Sequence, residues 1–474
     1  MTPSPPPPPG RANPPGLRRN YLSGIENVAQ SIGTMGPVAT IGTVLPLLIY
    51  KSANGSWLLL IGVLVAFGLV SISINVFASK FASAGSLSAY ARRGLGEGAG
   101  SLAGWSYLVA MTFVVTSSGV SSAYYIAIVY THLTGSPVGP AGLVLMTFLV
   151  VLLAWWPAHR DIKISTKTML AAETFSVCII LVIMVAAMLR SHHLVDHDQL
   201  QLRGSGLGQL RLGFVLAFMT LAGFESTSAL GEEAKTATHT LPRVMLLCVV
   251  PTGILFVASV YCLTALSHTL NLSLDQTDAP LDMIARSVGL PTLGWMSSLG
   301  VAISCFGCAL GGFNAGSRVL YSMARERQLW PSFAAIHPVN GTPHRALALF
   351  AIIALVVPTI MIGCGVTMAD AMDYLMQIAS FGFLGGYLLV CVAAPVFLAA
   401  TGHLGIVRIA IAVASVTILS AAFVLSLVPV PDGPWRYFPY IFAALLAAGM
   451  VVSRRTARAP GAPPPAIADP KPSA

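Results

Sequence analysis

Twelve long apolar segments run through this chain of 474 residues. Each holds about 20 mainly apolar residues, which is the length that an α-helix needs to cross the hydrocarbon core of a bilayer. Hydrophobic residues make up 55% of the chain and charged residues only 9%, whereas soluble domains contain roughly 25% charged residues. We therefore predict an all-α integral membrane protein with spans 1 to 12 near residues 24–50, 57–79, 103–131, 141–158, 168–189, 212–231, 244–267, 293–322, 345–364, 373–399, 406–430 and 437–452.

The basic residues are distributed unequally between the two sides of these spans. With the spans counted in order, 20 of the 26 Lys and Arg residues fall on the side that holds both termini. Short basic loops stay in the cytoplasm, so both termini are predicted to be cytoplasmic. The composition, rich in Ala, Gly and Pro, is typical of bacterial proteins and indicates a multi-pass protein of the cell (plasma) membrane.

Several classes of function are disfavoured by what the chain contains. The net charge of +9 is spread over short loops, so it gives no indication of nucleic-acid binding. Cys305 and Cys308 form a CxxC in span 8 without a second pair or nearby histidines, and we assign no metal. The chain has no Ser/His/Asp set, no HExxH and no Gly-rich nucleotide loop, which argues against an enzyme, an ATP-driven pump and a bound cofactor.

Two spans contain residues that break helices. In hydrocarbon, broken helices persist only where they are buried in protein or line a cavity. Corresponding breaks in two halves of a chain indicate a transporter with its binding site at the bilayer midplane. The candidate substrate-binding residues are Ser31, Gly33, Thr34, Met35, Gly36 and Pro37 in span 1, and Phe218, Met219, Ala222, Gly223 and Phe224 in span 6.

These residues also have a purely structural interpretation. Glycines let membrane helices pack closely, and aromatic or Met side chains most often face lipid or the protein core. The two breaks together favour a binding site. Phe218, Phe224 or Met219 is a candidate gate, with the choice between them open.

Glu173 in span 5 and Glu225 in span 6 are the clearest ionisable residues within the spans. Such groups are costly in a membrane and usually functional. An apolar setting favours the protonated carboxyl, so each glutamate is a candidate for proton coupling. Alternatively, either one stays protonated and bonds a neighbouring helix, or Glu173 is solvated near the cytoplasmic end of its span.

Three groups of motifs resemble the amino acid-polyamine-organocation (APC) superfamily of permeases, over residues 20 to 455 approximately. Residues 81–105 are similar to the family pattern PSAGGxYxY…LG…GW, with Ala82 in place of proline. Residues 223–243 are similar to GFE…EEAKNPxRxIPR, with Thr236-Ala237 in place of Asn-Pro. Residues 317–347 are also family-like, whereas span 1 departs from the common GxGIF break.

The resemblance implies the leucine-transporter-like fold, which has five-plus-five inverted repeats and here two additional C-terminal helices. It also implies substrate binding at the two breaks and, often, proton-driven transport. We predict a disordered Pro-rich cytoplasmic tail at 1–20, a first repeat at 22–190, a second repeat at 209–400, spans 11 and 12 at 405–453, and a disordered cytoplasmic tail at 454–474.

The leading functional hypothesis is a secondary transporter for an amino acid or a related amine. It works by alternating access, with a proton gradient as the expected driving force and sodium as an open alternative. An exchanger and a non-transporting solute sensor on the same scaffold are the other hypotheses. The identity of the small-molecule substrate and the oligomeric state stay open.

Overall fold

A computed structural model of the chain describes residues 16–191, 195–274, 277, 279–428, 430 and 433–457. The predicted tails therefore lie outside the described residues up to residue 15 and from residue 458 onward. Apart from one isolated bridge between Leu22 and Ala234, the regular structure in the described part is helical.

Sixteen α-helices are assigned in the described ranges. In chain order they are α1 Gly24–Met35, α2 Pro37–Ser52, α3 Ser56–Ala78, α4 Ser86–Leu95, α5 Glu97–Thr134, α6 Pro140–Arg160, α7 Ile162–Ser191, α8 His197–Leu200, α9 Leu207–Met219, α10 Ala237–Leu270, α11 Pro280–Ser287, α12 Pro291–Arg325, α13 His344–Gly363, α14 Met368–Ala400, α15 Ile406–Leu425 and α16 Phe438–Ala457. A 3-10 helix, Phe224–Leu230, follows α9.

Eleven helical stretches in the described residues are long and apolar enough to span a bilayer. Their outer faces are apolar as well: Leu153 in α6, Leu189 in α7 and Ile360 in α13 are each at least 60% exposed. A soluble protein rarely shows such large apolar surfaces to water. The chain is therefore a multi-pass membrane protein.

Helices α5 and α12 form the centre of the bundle, and α14, α7 and α1 pack around them. Small residues of α12 permit this packing. A Cβ added at Gly312 would meet Val115 of α5, and one added at Gly316 would meet Phe350 of α13. Without side chains at these positions the backbones approach closely, as is common where membrane helices cross.

The residues at the inner edges of both predicted tails, which the structure describes, are packed against the rest of the protein or helical. Leu17 is buried, and Arg18 donates a hydrogen bond to the carboxylate of Asp161 at 2.6 Å. At the other end, α16 continues to Ala457 and so includes the first four residues of the segment predicted as a tail. A composition rich in Pro and Ala gave no sign of these contacts.

Candidate functional site

The break predicted in span 1 is present and falls at Gly36. This residue lies between α1 and α2 with φ 56°, in the left-handed region. A Cβ there would overlap the sulfur of Cys308, so both the conformation and the packing require glycine. Pro37 then occupies the first position of α2, where its missing N–H costs nothing.

The break predicted in span 6 is also present. Helix α9 ends at Met219, and the chain turns through Gly223, with φ 95°, into the 3-10 helix Phe224–Leu230. A Cβ at Gly223 would lie 3.0 Å from the methyl carbon of Thr34. The glycine thus allows the two breaks to touch.

Side-chain hydrogen bonds join the two breaks directly. Ser31 Oγ donates to the carbonyl of Phe224 at 2.7 Å. Ser226 Oγ donates to Thr34 Oγ1 at 3.0 Å, and Thr34 Oγ1 donates in turn to the carbonyl of Gln30 at 2.7 Å. Because all three hydroxyl side chains are buried, these bonds satisfy polar groups that have no access to water at the two breaks.

Glu173 reaches the break in span 1 from α7. Its Oε1 accepts a hydrogen bond of 2.6 Å from Ser304 Oγ of α12. Ser304 Oγ accepts a bond of 2.9 Å from the N–H of Ala39, in the first turn of α2. Glu173 is 2% exposed, so it is not solvated at a span end, and its carboxylate lies beside the N-terminus of a half-helix.

Glu225 lies on a different side of the span 6 break. It accepts a hydrogen bond from the hydroxyl of Tyr387 of α14, and that hydroxyl accepts one from the Gly223 N–H at 3.1 Å. Glu225 Oε1 has no hydrogen-bond partner among the described residues. The side chain is fully buried, so the tyrosine positions both the carboxylate and the turn.

The aromatic candidates pack against other aromatic rings. The ring centroid of Phe218 lies 4.8 Å from that of Phe67 in α3. The ring centroid of Phe224 lies 5.6 Å from that of Phe67 and 5.9 Å from that of Tyr387. Both phenylalanines are fully buried, whereas Met219 is partly exposed. In this conformation the two phenylalanines belong to an aromatic cluster beside the break.

The remaining predicted residues take supporting positions. Met35 and Ala222 are buried next to their breaks. Gly33 faces α7, where an added Cβ would overlap the side chain of Met169. The CxxC cysteines, Cys305 and Cys308, are free and buried on α12.

A buried ion pair lies in the segment that follows the span 6 break. Arg318 of α12 and Glu233 form a bidentate pair in which Nη2 lies 3.1 Å from Oε1 and Nε bonds Oε2. Their side chains are 0% and 1% exposed. The carbonyl of Glu233 also accepts the N–H of Leu22 at 2.8 Å, and Leu22 accepts the N–H of Lys235 at 2.8 Å. These contacts, which we call the latch, tie the start of α1 to the segment after the span 6 break.

Several residues of the site were not predicted. Gln30 donates to the carbonyl of Gly311 at 2.9 Å and accepts from Asn314 Nδ2 at 3.0 Å. Tyr387 and Ser304 hold the two carboxylates. An amide side chain within span 1 was a usable signal for Gln30. A single Tyr or Ser in an apolar span gives no such signal, because hydroxyls commonly bond their own helix.

Comparison with known proteins agrees with this architecture. The model of the family described as amino acid permease matches residues 27–452. An uncharacterized transporter of Mycobacterium tuberculosis is 25% identical over 352 residues, covering 72% of this chain and 74% of its own length. The branched-chain amino acid permease BcaP of Bacillus subtilis is 21% identical over 335 residues, covering 68% of this chain and 69% of its own.

A third relative matches a shorter segment. The serine/threonine exchanger SteT of Bacillus subtilis is 31% identical over 144 residues, which cover 28% of this chain and 31% of its own length. The family model covers most of the chain, including both broken helices. The chain belongs to the amino acid permease family and is a multi-pass amino acid transporter.

Proposed function

We propose that this protein is a proton-coupled amino acid symporter that works by alternating access. The substrate binds between the breaks at Gly36 and Gly223. There a half-helix N-terminus suits a carboxylate, and freed carbonyls suit an ammonium. Glu225 and Glu173 provide the groups that bind and release the proton.

The observation that carries the proposal is that each break has its own buried carboxylate. Ser304 links Glu173 to α2, and Tyr387 links Glu225 to the Gly223 turn. In both carboxylates one oxygen has no hydrogen-bond partner in the described part of the chain. A buried carboxylate with an unsatisfied oxygen favours its neutral form, so a proton can accompany the substrate through the occluded state.

The same proposal includes a topology. The first spanning stretch, Gly24–Ala78, has 55 residues and is interrupted at Ala53–Gly55. It is long enough for two crossings, which makes twelve within the described ranges and leaves both termini on the cytoplasmic side of the plasma membrane. The breaks lie in spans 1 and 6, as expected of five-plus-five inverted repeats at 22–190 and 209–400.

Exchange is the second candidate mechanism. It is favoured by the similarity of 31% over 144 residues to a protein named as a serine/threonine exchanger. An exchanger returns to its starting conformation only with substrate bound, whereas a symporter also returns empty. Sodium in place of the proton and a sensor without transport are further outcomes that the same experiment separates.

The test is uptake of labelled amino acids and amines into proteoliposomes. An imposed pH gradient, a sodium gradient, or neither is combined with empty or substrate-preloaded vesicles. Wild type is compared with Glu225→Gln and with Glu97→Gln, a control at a glutamate that is 77% exposed. The proposal predicts uptake into empty vesicles that follows the pH gradient, falls in Glu225→Gln and persists in Glu97→Gln.

Other outcomes would contradict proton symport. Uptake only into preloaded vesicles would indicate an exchanger, and uptake that follows the sodium gradient would indicate sodium coupling. Specific binding without flux under any gradient would indicate a sensor.

A further inference from the structure

The first turn of α2 is where a carboxylate is expected to bind, because the N–H groups at a helix N-terminus lack partners within the helix. In the first turn of α2 few backbone N–H groups lack a partner within the helix. Pro37 has no N–H, and the Thr40 N–H is bonded to the Gly36 carbonyl at 2.9 Å. Only the amides of Val38 and Ala39 remain for a ligand.

Glu173 reaches the Ala39 amide through Ser304 and lies beside the Val38 amide. Ala39 donates to Ser304 Oγ at 2.9 Å, and Ser304 donates to Glu173 Oε1 at 2.6 Å. The Val38 N–H faces the same carboxylate. The protein's own carboxylate thus lies at the half-helix N-terminus, linked to it by Ser304, where a substrate carboxylate is also expected to bind.

The surroundings of Glu173 make this arrangement responsive to a proton. The side chain is 2% exposed, and its Oε2 has no hydrogen-bond partner among the described residues. No charged side chain from the elements packed around it acts on this carboxylate in the described part of the chain. The titratable groups that face it are the thiols of Cys305 and Cys308 on α12. Without a cation nearby, the neutral form of Glu173 is the better buried one.

We propose that Glu173 and the carboxylate of the substrate compete for the N-terminus of α2, and that protonation of Glu173 allows the substrate carboxylate to bind there. The inference rests on the proposed function, since it assumes an amino acid at the breaks. Two carboxylates cannot share the two amides without strong repulsion. A proton bound to Glu173 removes its charge, and the substrate carboxylate then takes its place. One proton enters with one substrate, and both leave when the cycle is complete.

Binding at different pH values tests the competition. Labelled leucine, serine and lysine are the probes, and their decarboxylated amines (isoamylamine, ethanolamine and cadaverine) serve as competitors. In wild type the affinity for an amino acid should rise as the pH falls, by up to about tenfold per pH unit for one linked proton. The amines lack the competing carboxylate, so their binding should lack this rise.

Glu173→Gln keeps the shape of the side chain but cannot ionise. Its affinity for the amino acid should lose most of its dependence on pH and lie close to the low-pH value of wild type, and accumulation driven by a pH gradient should fall sharply. Ser304→Ala cuts the link between Glu173 and Ala39, so it should raise the affinity at high pH. Glu97→Gln is the control, and its pH profile should match wild type.

The outcomes separate the two proposals. If wild type binds none of the three amino acids at any pH, the proposed function fails. If wild type binds and transports an amino acid but Glu173→Gln and Ser304→Ala retain its pH profile, the competition is refuted and Glu173 is a structural cap. If Glu173→Gln does not fold, the Ser304→Ala profile decides the question.

Discussion

The buried ion pair of the latch, Arg318 with Glu233, allows a quantitative prediction. Both charges are buried, and the guanidinium makes two contacts with the carboxylate and a third, of 3.0 Å, with the Asn314 carbonyl. Glu233→Gln removes the negative charge and leaves Arg318 buried without a counter-ion. Breaking a buried pair in this way costs about 3–5 kcal/mol.

This cost destabilises the conformation in which the latch is formed. Because 1.4 kcal/mol is a factor of ten, about 3–5 kcal/mol favours opening of the latch by roughly 100- to 4000-fold. The amides of Leu22 and Lys235, which bond across the latch, should then exchange with solvent faster by a similar factor. Hydrogen–deuterium exchange of peptides that cover residues 20–35 and 231–236 measures this change.

The neighbouring glutamate is a matched control. Glu232 pairs with Arg325 at 2.9 Å, but the Arg325 side chain is 48% exposed. An exposed pair contributes about 0–1 kcal/mol, so Glu232→Gln should leave the exchange of these peptides nearly unchanged. The double variant Glu233→Leu/Arg318→Met should restore protection, since apolar pairs replace buried ion pairs well. Equal exchange in Glu233→Gln and Glu232→Gln would refute the reasoning.

Two further variants test the breaks. Gly36→Ala should abolish folding, because the alanine would have to adopt a left-handed φ and its Cβ would overlap Cys308. The control is Gly62→Ala, whose Cβ meets nothing within 4 Å and which should stay within about 1 kcal/mol of wild type. Size-exclusion profiles and thermal unfolding compare the two variants, and a folded Gly36→Ala would contradict the packing argument. Tyr387→Phe removes the hydroxyl that bonds both Gly223 and Glu225. It should lower the free energy of unfolding by about 1–3 kcal/mol, measured by thermal shift, and should also lower substrate uptake, measured by counterflow. Values equal to wild type in both assays would show that this hydroxyl is dispensable.

The sequence determined the class of the molecule and the location of its breaks. A run of about 20 apolar residues can be stable in a bilayer only as a helix, because every backbone polar group must be satisfied within the segment. The spans were therefore readable one by one, as was the interruption at Gly36, where a Gly-Pro pair cannot continue a helix. The family motifs were readable for the same reason, since they are local in the chain.

Only the tertiary structure decided which side chains meet across the breaks. Glu173 and Glu225 are both carboxylates in apolar spans, yet one lies at the N-terminus of α2 through Ser304 and the other bonds Tyr387. The partner of Glu173 is 131 residues away in the chain, and that of Glu225 is 162 residues away. A helix sequence fixes which residues share a face, but the rotation of each helix depends on packing with all its neighbours. The apolar periodicity of a buried span does not specify that rotation, so the contacts of its few polar groups emerge only when the bundle is assembled.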